Sequence, residues 1–250
     1  MTRPLRRRFF PVDEGKRRAR QAILRSMSFS YWAMFRRRGI RLPLVFFFEC
    51  HLYDITHKTD THKTIVQAKY DYRPDNFEHG TWYMSSWTSE ILNSFNIVRK
   101  HLGSAFHEYT FVDVGCGKGK VILVWKEELQ KAHIDAKVVG LDYYEPLVKI
   151  ARNNYRHVFG DGGCFHEVDA ALCEYKQFGD RLILYLYNPF GKAIIKTMLA
   201  KLVNIPTVII YNYPLHCQIM IDGGFKVVYE KTGWIQNACT MILTNHVERD

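Results

Sequence analysis

Thr110-Phe-Val-Asp-Val-Gly-Cys-Gly-Lys-Gly-Lys120 decides the fold. An apolar run (Phe111, Val112, Val114) ends in glycines at alternate positions, Gly115, Gly117 and Gly119, and a second apolar run, Val121 to Trp125, follows at once. That order predicts strand, tight turn, helix over Lys118–Lys131. Glycine suits such a turn because the backbone visits positive φ there and because a Cβ would hold a ligand away from the chain. The helix behind it presents unpaired N–H groups and a positive dipole end. A phosphate-cradling loop would need a glycine five residues after Gly115, followed by Lys-Ser/Thr, but Lys120 stands in the glycine position. A dinucleotide fingerprint places its third glycine on Lys120 or Ile122, so it fails too. What remains is Asp113-x-Gly-x-Gly-x-Gly.

From this loop onward strands and helices alternate. Strands are predicted at Phe111–Val114, Lys137–Leu141, Cys164–Val168, Arg181–Tyr187, Thr207–Tyr211, Phe225–Glu230 and Cys239–Asn245. Helices are predicted at Glu145–Arg156, Lys192–Leu202 and Leu215–Ile221. Strands separated by helices give an α/β, doubly wound, mostly parallel seven-stranded sheet with helices on both faces. In such sheets ligands bind beyond the carboxyl ends of the strands, so the residues after each strand are the ones to inspect. The second strand ends at Asp142-Tyr143, the third at Asp169-Ala170, and the fourth at Tyr187-Asn188-Pro189-Phe190. Asp142 lies twenty-three residues past Gly119, near the offset of an acid that binds ribose hydroxyls. Each of these polar residues is also an ordinary helix cap or turn former.

The glycine motif resembles the first motif of the class I, Rossmann-like, S-adenosylmethionine-dependent methyltransferases, and the resemblance covers roughly Phe111 to Asn245. It implies a site for S-adenosylmethionine built from Asp113, Gly115, Cys116, Gly117, Gly119, Asp142, Tyr143, Asp169, Ala170 and Asn188, with Asp169 facing the adenine amino group. Asn188-Pro189-Phe190 resembles the [DNS]-P-P-[YF] motif of methyltransferases acting on nitrogen, in a variant with one proline. The resemblance implies that Asn188 and a neighbouring backbone carbonyl orient a target amine, with Pro189, Phe190 and Tyr187 around it. The implied function is methylation of a nitrogen of a small molecule or protein side chain. Alternatives are an RNA methyltransferase holding phosphate on the basic arm, and a non-catalytic S-adenosylmethionine-binding scaffold.

Three regions are expected: a basic, mostly helical extension over 1–56, substrate-side loops and a helix (Glu90 to His101) over 57–109, and the cofactor-binding domain over 110–250. Of the 35 Lys and Arg, thirteen lie within residues 1–41, against only Asp13 and Glu14. That stretch carries a net +11, so the rest of the chain carries −1 of the total +10. Apolar residues at Leu24, Met27, Tyr31, Met34 and Phe35 recur at helical spacing within Arg17–Arg38. A second helix is expected over Ile40–Asp54, interrupted at Pro43. The basic helix fits three readings: a solvated face, weak contact with RNA, or contact with an anionic membrane. Arg6-Arg-Arg8 lacks the apolar stretch of an export signal, and Leu42–Phe48 is far shorter than the roughly twenty residues a bilayer needs. Six scattered cysteines without a C-x-x-C pair fit reduced thiols and a cytoplasmic location. His57 and His62 match no familiar metal-ligand spacing, so no metal is expected and the segment reads as a polar loop beside the site. In Gly80–Ser89, aromatic and hydroxyl residues mix, which makes Tyr83 and Trp87 candidates for the substrate wall.

Overall fold

The computed structural model describes residues 31–246. The chain divides into two compact units, Met1–Val45 and Phe46–Asp250. In the first, the described part forms helix α1 (Tyr31–Arg38) and the start of α2 (Arg41–Phe46). Within α1, Trp32 and Phe35 stack with centroids 5.6 Å apart. The expected helix from Arg17 is thus seen from Tyr31, and its earlier part lies outside the described residues.

Pro43 does not interrupt the next helix. It sits in the first turn of α2, where its missing N–H would have had no partner. A π-helical turn, Phe47–His51, and then α3 (Leu52–His57) continue the run until Lys58 turns left-handed at φ 54°. The helix expected at Glu90–His101 is α4 (Thr88–Leu102).

The sheet follows as β1 (Thr110–Val114), α5 (Lys120–Lys131), β2 (Val138–Asp142), α6 (Glu145–Phe159), β3 (Phe165–Glu167), β4 (Leu182–Tyr187), α7 (Lys192–Leu202), β5 (Thr207–Asn212), α8 (Cys217–Asp222), β6 (Lys226–Lys231) and β7 (Thr240–Thr244). The strand order is β3-β2-β1-β4-β5-β7-β6. Strands β1 to β5 run parallel, and β7 lies antiparallel between β5 and β6. Helix α5 starts two residues later than expected because Gly119, at φ 84°, cannot be its first turn.

Strands β1, β2, β5 and β7 are buried along their whole length, as expected of strands covered on both faces. An aromatic chain runs through the core beside β1. Phe95 of α4 meets Phe106 edge-on at 5.2 Å, Phe106 meets Phe111 at 5.1 Å, and Phe111 meets Trp125 of α5 at 5.3 Å. Trp125 then meets Tyr185 of β4 at 5.9 Å. Such pairs each contribute about 0.5–1.5 kcal/mol beyond area burial. They lock α4, α5 and β4 around the strand that delivers the glycine loop.

Candidate functional site

The loop leaves β1 through two N–H groups, Gly115 and Cys116, that both donate to the Leu141 carbonyl at 2.8 Å. All three glycines take positive φ: 83° at Gly115, 53° at Gly117 and 84° at Gly119. Two of them are also sterically required. A Cβ on Gly117 would lie 2.1 Å from the Tyr83 ring, and one on Gly115 would lie 2.7 Å from Pro189 Cβ. The buried thiol of Cys116 is pushed well above its usual range by desolvation.

Asp142 closes the loop from the neighbouring strand. Its Oδ2 accepts from the Gly117 N–H at 2.8 Å and its Oδ1 from the Tyr144 N–H at 3.0 Å. Burial nevertheless raises its carboxyl to about 6, against the lowering effect of those backbone donors. Asp113, 3% exposed at the end of β1, meets no hydrogen-bond donor among the described residues. Burial, and then the Asp142 charge, hold its carboxyl well above the carboxylate range.

Because Asp142 binds its proton more tightly folded than unfolded, its contribution to stability is fully present below about pH 4 and lost as pH rises through about 6. We expect Asp142→Asn to abolish a fall of about 3 kcal/mol in unfolding free energy across that window, measured by denaturant titration at several pH values. A ribose diol needs the charged acceptor, so cofactor affinity should move oppositely and rise through the same window. A wild-type stability profile no steeper than the variant's would remove Asp142 as the titrating group.

At the end of β4, Asn188 adopts φ 41° and is buried. Its Oδ1 accepts from the Tyr211 hydroxyl at 3.3 Å. The buried Tyr187 hydroxyl has no hydrogen-bond partner among the described residues. Phe190 is 8% exposed and bridges to Gly80.

A strap formed by residues 61–83, within the stretch expected to hold substrate-side loops, covers these strand ends. The Thr81 N–H donates to the Pro189 carbonyl at 2.9 Å and its hydroxyl to the Asn188 carbonyl at 3.1 Å. The neighbouring backbone carbonyl expected to orient an amine is therefore already in use. Asn76 donates to Asp169 at 2.6 Å, and Asp169 also accepts from the Ala171 N–H at 2.7 Å. The Ala170 carbonyl accepts from Tyr175. Gln67 donates to the Tyr143 hydroxyl at 3.3 Å, and Tyr70 stacks on Tyr144 at 3.8 Å and 6°. Tyr83 lies on Gly117, donates to the Thr61 carbonyl, and has the Lys118 ammonium 5.6 Å from its ring centre. Trp87, by contrast, is buried beside Trp234 at the start of α4.

The strap is anchored at Asp54. This buried carboxylate accepts from both the N–H and hydroxyl of Thr61, the Thr59 hydroxyl, and the N–H and Nδ1 of His62. Ligand atoms of Asp54, Asp60 and His62 converge within 4.8 Å. Five donors already fill the four or so lone-pair positions of Asp54, and Asp60 pairs with the buried Lys118 at 3.1 Å. His57 is turned elsewhere, to Glu127 at 3.0 Å.

Residues 106–209 match a family model described as "Methyltransferase domain". The match runs from β1 into β5 and covers less than half of the chain. No curated protein matches the chain. Among solved structures, an amino pentose methyltransferase of calicheamicin biosynthesis from Micromonospora echinaspora, with bound S-adenosylmethionine, is 12% identical. It aligns over 65% of this chain and 92% of its own, with a TM-score of 0.50. The magnesium protoporphyrin IX methyltransferase of Synechocystis, also with the cofactor bound, is 18% identical over 63% of this chain and 77% of its own, with a TM-score of 0.45. A tRNA (uracil-54, C5)-methyltransferase of Pyrococcus abyssi is 11% identical over 74% and 42%, with a TM-score of 0.45. At these identities the likeness is one of fold.

The residues present fit S-adenosylmethionine, the cofactor that the glycine motif implies. Three glycines bring bare backbone to the strand ends, and Asp113 is a buried carboxyl group without a donor among the described residues, which a cationic amino group would hold ionised. The Asp142 side chain stands at the position where an acid would meet a diol.

Proposed function

We propose that this methyltransferase methylates a nitrogen of a small molecule or a protein side chain, with Asn188 orienting the acceptor. The observation that carries the reading is the seating of Pro189 against Gly115, so close that a Cβ added at Gly115 would lie 2.7 Å from the Pro189 Cβ. It puts the turn bearing Asn188 directly against the cofactor loop. Asp113, Gly115 to Gly119, Asp142, Tyr143, Asp169 and Ala170 are the residues we assign to holding the cofactor.

When bound, the cofactor supplies a methyl group on a sulfonium, open to in-line displacement without a metal. The chain's task is then to align a neutral amine and exclude water. Asn188 Oδ1 can accept an amine N–H and so aim the lone pair. Tyr187, whose buried hydroxyl lacks a partner, offers a second polar contact, since an unpaired buried group of this kind costs about 1–3 kcal/mol. Phe190 supplies an apolar surface, and a water-poor setting favours the neutral amine over the ammonium. Because Thr81 occupies the Pro189 carbonyl, the side chain of Asn188 rather than the backbone is the primary acceptor.

The test is transfer of a labelled methyl group to cell extract fractionated into RNA, protein and small molecules. Label is expected in the small-molecule or protein fraction, on nitrogen. Label confined to RNA would overturn this reading in favour of an RNA methyltransferase using residues 1–41. Weak contact of that arm with RNA or an anionic membrane is a separate proposal, and no helix among the described residues is long and apolar enough to cross a membrane.

A further inference from the structure

The stretch Phe46–His57 has two unlike faces. Its inward face carries Cys50, Tyr53 and Asp54, all buried, with Asp54 fully hydrogen-bonded to the strap. Its exposed residues are Phe47, Phe48, Leu52, Ile55 and Thr56, so no charge lies on the outer face at all. Phe48 is 59% exposed and Ile55 61%. Phe48, Leu52 and Ile55 follow the i, i+4, i+7 spacing of one helical stripe. A water-facing stripe of this kind marks an interaction surface.

The charges around this stripe are one-sided. Glu49 is engaged at the first turn of α4, where its carboxylate accepts from the Ser89 N–H at 2.8 Å. Asp54 is buried, and Asp60 pairs with Lys118. Lys58 and Lys63, just beyond the helix, are exposed. In sequence the stripe follows directly on the arm of residues 1–41, with its net +11. Every acidic group of the segment is thus buried, hydrogen-bonded or paired, while the exposed groups are apolar, hydroxyl or basic.

We infer that the Phe47–Ile55 face docks on an anionic lipid bilayer, lying in the interface with its apolar side chains among the acyl chains and its lysines at the headgroups. Apolar burial and attraction to anionic headgroups then act together. The inference does not rest on the identity of the methyl acceptor.

The test is co-sedimentation of the full chain with vesicles of phosphatidylcholine alone or mixed equally with phosphatidylglycerol, at low salt and at about 1 M salt, where screening is nearly complete. The comparison is the triple variant Phe48→Gln, Leu52→Gln, Ile55→Gln, in which glutamine keeps helix propensity on residues that are already exposed. The wild type is expected to bind the mixed vesicles and to keep a fraction of that binding at high salt. The triple variant is expected to lose that salt-resistant fraction at least about tenfold, with unchanged melting temperature and cofactor affinity. Equal salt-resistant binding by both proteins, or no binding by the wild type, would overturn the proposal. So would a wild-type dimer in sedimentation that the triple variant dissolves, because the face would then belong to a second copy. If the triple variant melts early, the single change Ile55→Gln decides the matter by the same loss of the salt-resistant fraction.

Discussion

Asn188→Ala is expected to cut methyl transfer at least about a hundredfold while leaving cofactor affinity within about threefold of wild type. A hundredfold corresponds to about 2.7 kcal/mol of transition-state stabilisation, the scale of a positioning interaction made mainly as the amine is attacked. Two companions separate chemistry from structure. Asn188 stands at φ 41°, where alanine is strained by about 1–2 kcal/mol, so Asn188→Gly removes the side chain without that strain and should be as inactive as alanine. Tyr211→Phe deletes the 3.3 Å hydrogen bond to Asn188 Oδ1 but keeps the acceptor, and should retain most activity. Normal turnover in Asn188→Gly, under single-turnover conditions, would remove the main support for nitrogen methylation.

The second large effect is expected at Gly117. A methyl group there would lie 2.1 and 2.2 Å from two carbons of the Tyr83 ring, at a φ of 53°. Neither conflict can be relieved cheaply. Tyr83 is held by the Thr61 carbonyl, and Gly117 by Asp142. We expect Gly117→Ala to destabilise the protein by about 3 kcal/mol or more, through strain and overpacking together, and to weaken cofactor binding as the loop shifts. Gly160→Ala is the control. Its φ of 89° is as unfavourable, but nothing lies within 4 Å of the added carbon, so only the strain of about 1–2 kcal/mol remains. Adding Tyr83→Ala to Gly117→Ala should relieve the clash and return part of the loss, a coupling readable by a double-mutant cycle. Equal melting temperatures for the Gly117 and Gly160 variants would contradict the packing described here.

The parts of this fold legible in the sequence are those written in local pattern. Gly115, Gly117 and Gly119 announce their turn because positive φ leaves few alternatives to glycine, and the apolar runs on either side are the buried β1 and the inner face of α5. Asp142 and Asn188 stand out as candidates because strand ends in a parallel sheet converge on one edge. The strap was expected as a loop beside the site, but its pairing was not legible. Its contacts join residues far apart in sequence, such as Thr81 with Asn188 and Pro189, Asn76 with Asp169, and Gln67 with Tyr143. No period marks a segment whose order comes from single hydrogen bonds. Lys118 hid for a related reason. It sits inside the glycine motif as if solvent-facing, yet it is 1% exposed and paired with Asp60 across 58 positions. Pro43 misled in the opposite direction, since a proline ends a helix only beyond its first turn.

If the glycine loop and Asp142 together hold S-adenosylmethionine, calorimetric titration with S-adenosylhomocysteine will show it. With a chelator present, the wild-type chain should bind one equivalent, and NAD should give no heat of binding. Asp142→Ala should bind more weakly by about 1.5–3 kcal/mol, the cost of losing charge-assisted hydrogen bonds. Absence of saturable binding to the folded wild type, or full affinity in Asp142→Ala, would contradict the account.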